Sequence, residues 1–226
     1  MAIIGDSVAT VRLNLGNRAD LDARISQWLA YAYIDLGMSY PFEELEASID
    51  DAFVSTIEVY NYPDGVRAIK TISMTVSNQQ QPVKRRDIKV IRRYSSTIPG
   101  PPAIYGTRAK QILVRPIPDK SYPFIWDVWL LPAVDQTSPA TINASAMLLP
   151  LDWAEILQYM ATLRGHIALL ERDKAAEVHT LLYGDPGSPG VVGLIKQKLL
   201  IHAAESYDSD YAIRPKIRAY SSTGQS

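Results

Sequence analysis

Residues 102–132 constrain the fold more than any other stretch, because they contain two apolar runs separated by a strong turn signal. Pro118, Asp119 and Lys120 stand between the two runs. Proline suits the first positions of a turn, and an aspartate there can hydrogen-bond to its own backbone. The pattern predicts two strands folded back on each other, with the bend at these three residues.

The region before this pair of strands also has the features of a sheet. The apolar residues of segment 72–76 alternate with polar ones, which is the period of a half-exposed strand. Segment 61–65 predicts a hairpin turn, and segment 78–82 predicts a looser turn. We therefore expect an antiparallel, β-rich lobe over residues 54–132.

Helical spacing occurs on both sides of this lobe. The apolar residues of 20–36 recur every three or four positions, and those of 41–53 follow a proline and two acids that suit a helix start. A capping-box pattern at Asp152 begins a long helix that ends at Gly184. A further helix is expected at about 191–205.

The sequence thus predicts an α+β fold. The helices of 1–53 and 151–205 are expected to pack together as a bundle. The β lobe of 54–132 is inserted between them, and residues 133–150 form a linker. Residues 206–226 form an extended C-terminal arm.

Composition excludes several classes of protein. The 226 residues contain no cysteine, which removes disulfides, thiolate catalysis and cysteine-ligated metals. A formal net charge of -1 argues against a general nucleic-acid binder. No apolar run has the roughly 18 residues of a membrane helix. Because the start of the chain has no basic leader, we expect a soluble protein without a signal peptide.

We find no pattern typical of a catalytic, cofactor or metal site. The three histidines, His166, His179 and His202, are not spaced to share one helix face. The glycines of 184–190 lack the lysine and serine of a phosphate loop, and the two prolines among them have no backbone donor. We therefore expect a protein that is not an enzyme and that uses no cofactor or metal.

Charge is concentrated in two short segments. Residues 84–93 contain six bases and one acid, whereas residues 43–51 contain five acids and no base. The bases are Lys84, Arg85, Arg86, Lys89, Arg92 and Arg93, and the acids are Glu43, Glu44, Glu46, Asp50 and Asp51. Three interpretations are open. The segments are solvated surfaces of a monomer, they meet between neighbouring copies of the chain, or the basic one holds DNA phosphates.

The last 21 residues have no helical or strand period, but they contain three tyrosines and three bases. This composition is typical of an interface arm that becomes ordered when it binds. We therefore predict that the arm binds a neighbouring protein. The residues concerned are Tyr207, Tyr211, Arg214, Lys216, Arg218 and Tyr220.

The order of motifs over 102–132 is Pro-x-x-Tyr, a strand, Pro-x-Pro-Asp, x-x-Tyr, an aromatic strand and Leu-Leu-Pro. This order resembles the head-to-tail connector proteins of tailed bacteriophages, also called adaptor or head-completion proteins. The N-terminal helix pair, the helix start at Asp152 and the helix end at Gly184 add to the resemblance. It implies a structural virion protein that forms a homo-oligomeric ring, commonly a dodecamer, in the neck.

The resemblance also implies partners. The ring would attach to the portal protein on one side and receive a tail or nozzle protein on the other. Genomic DNA would pass through the lumen without sequence-specific binding, and no membrane would be involved. The C-terminal arm would grip the portal or an adjacent subunit, and assembly would take place in the host cytoplasm.

An alternative of a different class is a ligand-binding module. In that case the tyrosines and tryptophans of the β lobe would bind a glycan or a peptide, and the helices would only dimerise. An enzyme is a third possibility. Ring formation with a portal protein favours the connector, whereas a monomer or dimer that binds a soluble ligand favours the module.

Overall fold

The computed structural model describes residues 3–94, 98–185, 187–188 and 192–205. These residues contain both helices and antiparallel sheets, so the predicted α+β class is confirmed. The chain divides into two compact units, Met1–Gly165 and His166–Ser226. The predicted arm of 206–226 lies outside the described residues.

Seven helices and eight strands make up the described chain. The helices are α1 (Val8–Asn14), α2 (Asp22–Ser39), α3 (Ile88–Ile91), α4 (Pro139–Ala144), α5 (Ala154–Ala168), α6 (Arg172–Tyr183) and α7 (Leu194–Glu205). The strands are β1 (Glu46–Phe53), β2 (Val59–Asn61), β3 (Val66–Val76), β4 (Gln79–Pro82), β5 (Lys84–Arg85), β6 (Ile104–Arg108), β7 (Gln111–Arg115) and β8 (Tyr122–Leu130). Short 3-10 turns precede several of them, at Ile4–Ser7, Ala19–Leu21, Glu43–Leu45 and Leu151–Trp153.

Two four-stranded sheets form a β-sandwich in the first unit. The strand order is β1-β8-β3-β4 in the first sheet and β2-β7-β6-β5 in the second. Neighbouring strands are antiparallel, except that β5 and β6 are parallel. The hydrophobic core lies between the sheets and takes side chains from both, among them Phe53, Tyr105 and Trp126.

Strand β1 occupies the second half of segment 41–53, so the helix predicted there is wrong and the β lobe begins before residue 54. The apolar residues that suggested a helix, Leu45, Ile49 and Phe53, are four positions apart, and this spacing also fits the period of two in a strand. Ile49 and Phe53 pack into the sandwich core, where Phe53 stacks on Phe124 with ring centroids 4.0 Å apart. Packing against β8 therefore decides the conformation of this segment.

The bend at Pro118 is present, but the strands on its two sides do not pair. Strand β7 pairs with β2 and β6 in the second sheet, and β8 pairs with β1 and β3 in the first. The hairpin predicted over 102–132 is therefore wrong, because the bend carries the chain from one sheet to the other. The hydroxyl of Tyr122 donates a 2.6 Å hydrogen bond to Asp119, which raises the pKa of Tyr122 to about 12 and lowers that of Asp119.

The turn at 61–65 also joins strands of different sheets, so the hairpin predicted there is wrong. The hairpins that occur have two-residue turns at Ser77–Asn78 and Ala109–Lys110, and all four of these residues have positive φ. Two left-handed residues suit the twist of a tight hairpin. The looser turn predicted over 78–82 is wrong, because most of that segment is strand β4.

Helices α1, α2 and α5 contact one another in the first unit. The amide of Asn14 donates to the hydroxyl of Thr162 at 3.4 Å. Gly165 leaves room for the side chains of Leu15 and Trp28, since a Cβ at this glycine would stand 2.7 Å from Leu15. The N-terminal helices and the part of α5 that ends at Gly165 therefore share one core.

Residues 133–150 are not a plain linker, because they contain helix α4. Ser138 caps this helix: its hydroxyl accepts from the N–H of Thr141 at 3.2 Å, and the hydroxyl of Thr141 accepts from the N–H of Ser138 at 3.0 Å. After the helix, the N–H of Leu148 donates to the hydroxyl of Tyr33 at 3.1 Å. The segment is therefore held against α2.

The long helix predicted to end at Gly184 is broken into α5 and α6. Leu170 between them has a φ of 61°, and Nδ1 of His166 lies 2.6 Å from a carboxylate oxygen of Glu171. The bond with His166 holds the pKa of Glu171 below its ordinary value. Neither proline nor glycine marks this break, so the sequence had no breaker signal. The helix expected at 191–205 is confirmed as α7.

We expect the substitution Phe53→Ala to lower the free energy of unfolding by about 3–5 kcal/mol, because it removes a buried ring that stacks on Phe124. The control Val54→Ala should change it by about 0.5 kcal/mol or less, since Val54 is 48% exposed. Urea denaturation followed by circular dichroism measures both values. Equal effects at the two positions would contradict the placement of Phe53 in the core.

Candidate functional site

The β-sandwich has two edges on opposite sides. On one side β1 and β2 are neighbours, because Phe53 of β1 packs against Tyr60 of β2 with ring centroids 5.2 Å apart. On the other side β4 and β5 are neighbours, because only Val83 separates them along the chain. The two strand orders therefore place β1 and β5 at opposite ends of the sandwich.

The predicted acidic residues lie along β1 and the turn that precedes it. We call this set the acidic edge: Glu43, Glu44, Glu46, Asp50 and Asp51. Glu46 forms a 2.6 Å ion pair with Lys70 and accepts a 3.1 Å hydrogen bond from the indole of Trp129. In contrast, Glu43, Glu44 and Asp50 are exposed, and in the described part of the chain their side chains make no ion pair. Their negative charge therefore faces solvent.

Asp51 protects the free side of β1. Its carboxylate accepts from the N–H of Ala52 at 2.7 Å and from the indole of Trp126 at 3.0 Å. Charged residues and an occupied backbone donor discourage a foreign strand from pairing with an edge. The acidic edge is thus suited to side-chain contacts and not to extension of the sheet.

The predicted basic residues lie on β5, on α3 and in the turns beside α3. We call this set the basic edge: Lys84, Arg85, Arg86, Lys89, Arg92 and Arg93. All six are exposed. Arg85 donates to the hydroxyl of Thr107 at 3.2 Å, but no member of the set forms an ion pair with another described residue. The positive charge of this edge is therefore not neutralised within the described chain.

Helix α3, which carries part of the basic edge, lies on the outer face of the second sheet. Its start is capped by Asp87, whose carboxylate accepts from the N–H of Lys89 at 2.7 Å. Gly106 of β6 lies beneath the helix. A Cβ at Gly106 would stand 3.0 Å from Cγ1 of Ile91 and 3.2 Å from Cα of Ile88. The glycine therefore permits the close approach that positions α3.

Sequence reasoning missed a polar network on the outer face of the first sheet. Asp127 of β8 accepts hydrogen bonds from the hydroxyls of Ser48 at 2.8 Å and Thr71 at 2.6 Å. Beside it, Lys70 binds Glu46. The partners come from three strands that are far apart in the sequence, so no local spacing could have predicted them. Both carboxylates are satisfied within the chain, and the network stabilises the sheet.

A cavity of about 350 Å³ opens among the helices of the first unit. Arg12 and Asp22 form a 2.8 Å ion pair in its wall, and the side-chain oxygen of Asn143 there has no hydrogen-bond partner. Much of the remaining wall is small or apolar, including Val8 and Pro139. One unpaired acceptor beside a paired arginine does not define a ligand.

The titratable residues do not converge on a reactive centre in the part of the chain that the structure describes. No group of three or more histidines, aspartates or glutamates there could hold a metal ion. His166 is paired with Glu171, and His179 contacts the ring of Tyr183 at 4.8 Å. Among the described helices, none is long and apolar enough to cross a membrane.

No protein-family model matches the chain, and no curated protein matches it. The functional interpretation therefore depends on the geometry of the two edges. The role of the C-terminal arm stays a prediction, because its residues lie outside the described ranges. They are Tyr207, Tyr211, Arg214, Lys216, Arg218 and Tyr220.

We expect Gly106→Val to lower the free energy of unfolding by about 1–3 kcal/mol, because the new side chain meets α3 at less than its contact distance. The control Arg108→Val adds a branched side chain to the same strand at an exposed position, and it should be close to neutral. Urea denaturation compares the two variants with the parent. A neutral Gly106→Val would mean that α3 does not pack on β6.

Proposed function

We propose that this chain is the subunit of a ring-forming adaptor in the neck of a tailed bacteriophage, joining the portal to the tail. The observation that carries the proposal is the separation of unpaired charge. Each copy has an acidic edge on the β1 side of a β-sandwich, whereas its basic edge begins at β5 on the far side and continues over α3 onto the outer face of the second sheet. A subunit of this kind can contact one neighbour through its acidic edge and a second neighbour through its basic edge.

The arrangement favours a head-to-tail contact over a two-fold one. A two-fold contact brings identical surfaces together, so acid would meet acid or base would meet base. A head-to-tail contact brings the acidic edge of one copy to the basic edge of the next, and it closes into a ring when the rotation between copies allows. Complementary charge also speeds association and disfavours wrong orientations.

The resemblance in motif order supplies the biological setting. It supports a dodecameric ring that binds the portal, receives the tail or nozzle, and lets genomic DNA through its lumen. A net charge close to zero suits such a role. A strongly basic lumen would bind the phosphates of the DNA that passes through it. We assign the grip on the portal to the C-terminal arm, residues 206–226.

The alternative function, a module that binds a glycan or peptide through aromatic residues, has less support. Such a module needs exposed rings that can stack on the ligand. Most rings of the β lobe are buried in the sandwich core, among them Phe53, Tyr105, Tyr122 and Trp126. Trp129 is only half-buried, but its indole is already bonded to Glu46.

We expect the double substitution Arg92→Glu with Arg93→Glu to weaken self-association at least tenfold at low salt, because it places like charges across the proposed contact. Added salt should reduce the difference from the parent protein, since exposed charges are screened. Sedimentation velocity at two salt concentrations measures the association.

Two further variants control for a general effect of charge. Arg24→Glu with Arg172→Glu makes the same change at exposed arginines outside the basic edge, and it should leave association unchanged. Reversal of Glu44 and Asp50 to Lys in the Arg92/Arg93 variant should restore part of the lost association. If the Arg92→Glu with Arg93→Glu variant still assembles but no longer binds duplex DNA, the basic edge contacts DNA and not a neighbouring copy.

The second test uses the protein mixed with a candidate portal protein from the same genome. Negative-stain electron microscopy should show rings on the portal. Truncation after Glu205 should reduce the occupancy of the portal while the circular dichroism of the core stays unchanged. Absence of rings, both alone and on the portal, would refute the proposed function, and full occupancy by the truncated chain would refute the role of the arm.

A further inference from the structure

The segment that links β1 to β2, together with the first residue of β2, places three large apolar side chains in solvent. We call Val54, Ile57 and Val59 the apolar loop, and each of them is more than 40% exposed. They follow directly after the acidic edge and lie on the same side of the sandwich. Clustered apolar side chains that are rimmed by charge are typical of a contact surface.

The apolar loop is held rigidly in spite of its exposure. The hydroxyl of Tyr60 accepts from the N–H of Val54 at 2.8 Å and lies 3.0 Å from the carbonyl oxygen of Ile57. The N–H of Thr56 donates to the carbonyl of Pro118 at 2.9 Å. The loop is thus bonded to the next strand and to the bend that joins the sheets.

Thr56 at the centre of the loop has a φ of 69°. A β-branched side chain seldom adopts this left-handed conformation, because the branch crowds the backbone. Strained residues of this kind persist where surrounding contacts hold them, and they cluster at functional sites. The loop therefore keeps its shape before any partner binds, which lowers the entropy cost of binding.

The outer face of the second sheet, where α3 packs over β6 and β7, carries a surface of complementary character. We call it the α3 surface: its apolar centre is Val90 and Tyr94, both exposed, and its rim is Arg86, Lys89, Arg92 and Arg93. Tyr94 is 54% exposed. Tyrosine and arginine are the residue types that most often dominate the binding energy of an interface.

We propose that the apolar loop of one copy docks on the α3 surface of the next copy. In this contact Ile57 lies against Tyr94, and Asp50 faces the arginines of the rim. The occupant is a second copy of this chain, because the loop has acids beside it and the α3 surface has bases around it. The inference rests on the proposed function and specifies the contact that builds the ring.

Site-directed cross-linking tests the contact, since the chain contains no cysteine of its own. Ile57→Cys and Tyr94→Cys are introduced into one chain, and the assembled protein is treated with a short bis-maleimide. Each copy then has one thiol in its apolar loop and one on its α3 surface. A head-to-tail contact gives a ladder of covalent multimers on a denaturing gel, whereas a two-fold contact gives dimers at most.

The matched control moves the first cysteine from Ile57 to Leu13, an apolar residue that is 67% exposed elsewhere in the first unit. The pair Leu13→Cys with Tyr94→Cys should give no ladder.

The positioning role of Tyr60 is tested by Tyr60→Phe, which keeps the ring but removes the hydroxyl. It should weaken self-association several-fold while circular dichroism shows that the protein stays folded, and this loss should not depend on salt.

The outcomes separate the contact from the function. If rings form on the portal but the Ile57/Tyr94 pair gives no ladder, the contact is wrong and the proposed function stands. If duplex DNA or the portal protein, and not a second copy, shields the thiol of the Tyr94→Cys variant from the maleimide, the α3 surface has a different occupant and the contact is also wrong. If no ring forms under any condition, both proposals fall.

Discussion

Phe124 stacks on Phe53 at 4.0 Å, and this contact joins the central strand of the first sheet to its acidic edge strand. The same two rings pack against Tyr60 at the edge of the second sheet. One aromatic cluster therefore ties three strands together across the core. Because β1 and β2 are held side by side in this way, β4 and β5 come together on the far side, and the two charged edges are separated.

This separation explains how a nearly neutral chain can have a polarised surface. Exposed ion pairs contribute little each, about 0–1 kcal/mol, so charge alone would not hold two copies together. Its effect is mainly on orientation and on the rate of encounter. An assembly through these edges consequently needs an apolar contact as well, and exposed apolar side chains accompany the charge on both sides, at Ile57 and at Tyr94.

The sequence predicted the α+β class, because the class follows from local pattern. It also located the two charged segments, but it left open whether they are solvated, meet between copies or bind DNA. It failed where two periods coincide: Leu45, Ile49 and Phe53 satisfy a helix and a strand equally, and only packing against β8 decides between them. It also failed at the bend at Pro118, because the same turn residues suit a hairpin within one sheet and a connection between two sheets. The left-handed Thr56 has no sequence signal at all.

A closed ring places a stricter demand on a subunit than a dimer does, because the angle between its two contact surfaces decides whether the last copy meets the first. In the ring that we propose, that angle would depend on the sandwich core, since the apolar loop belongs to the β1–β2 side and α3 is seated on Gly106 at the outer face of the second sheet. A close-packed interior transmits small displacements with little loss. In such a proposed ring, a core substitution that leaves the fold intact could therefore change the number of copies, or open the ring into a helix, without touching either surface.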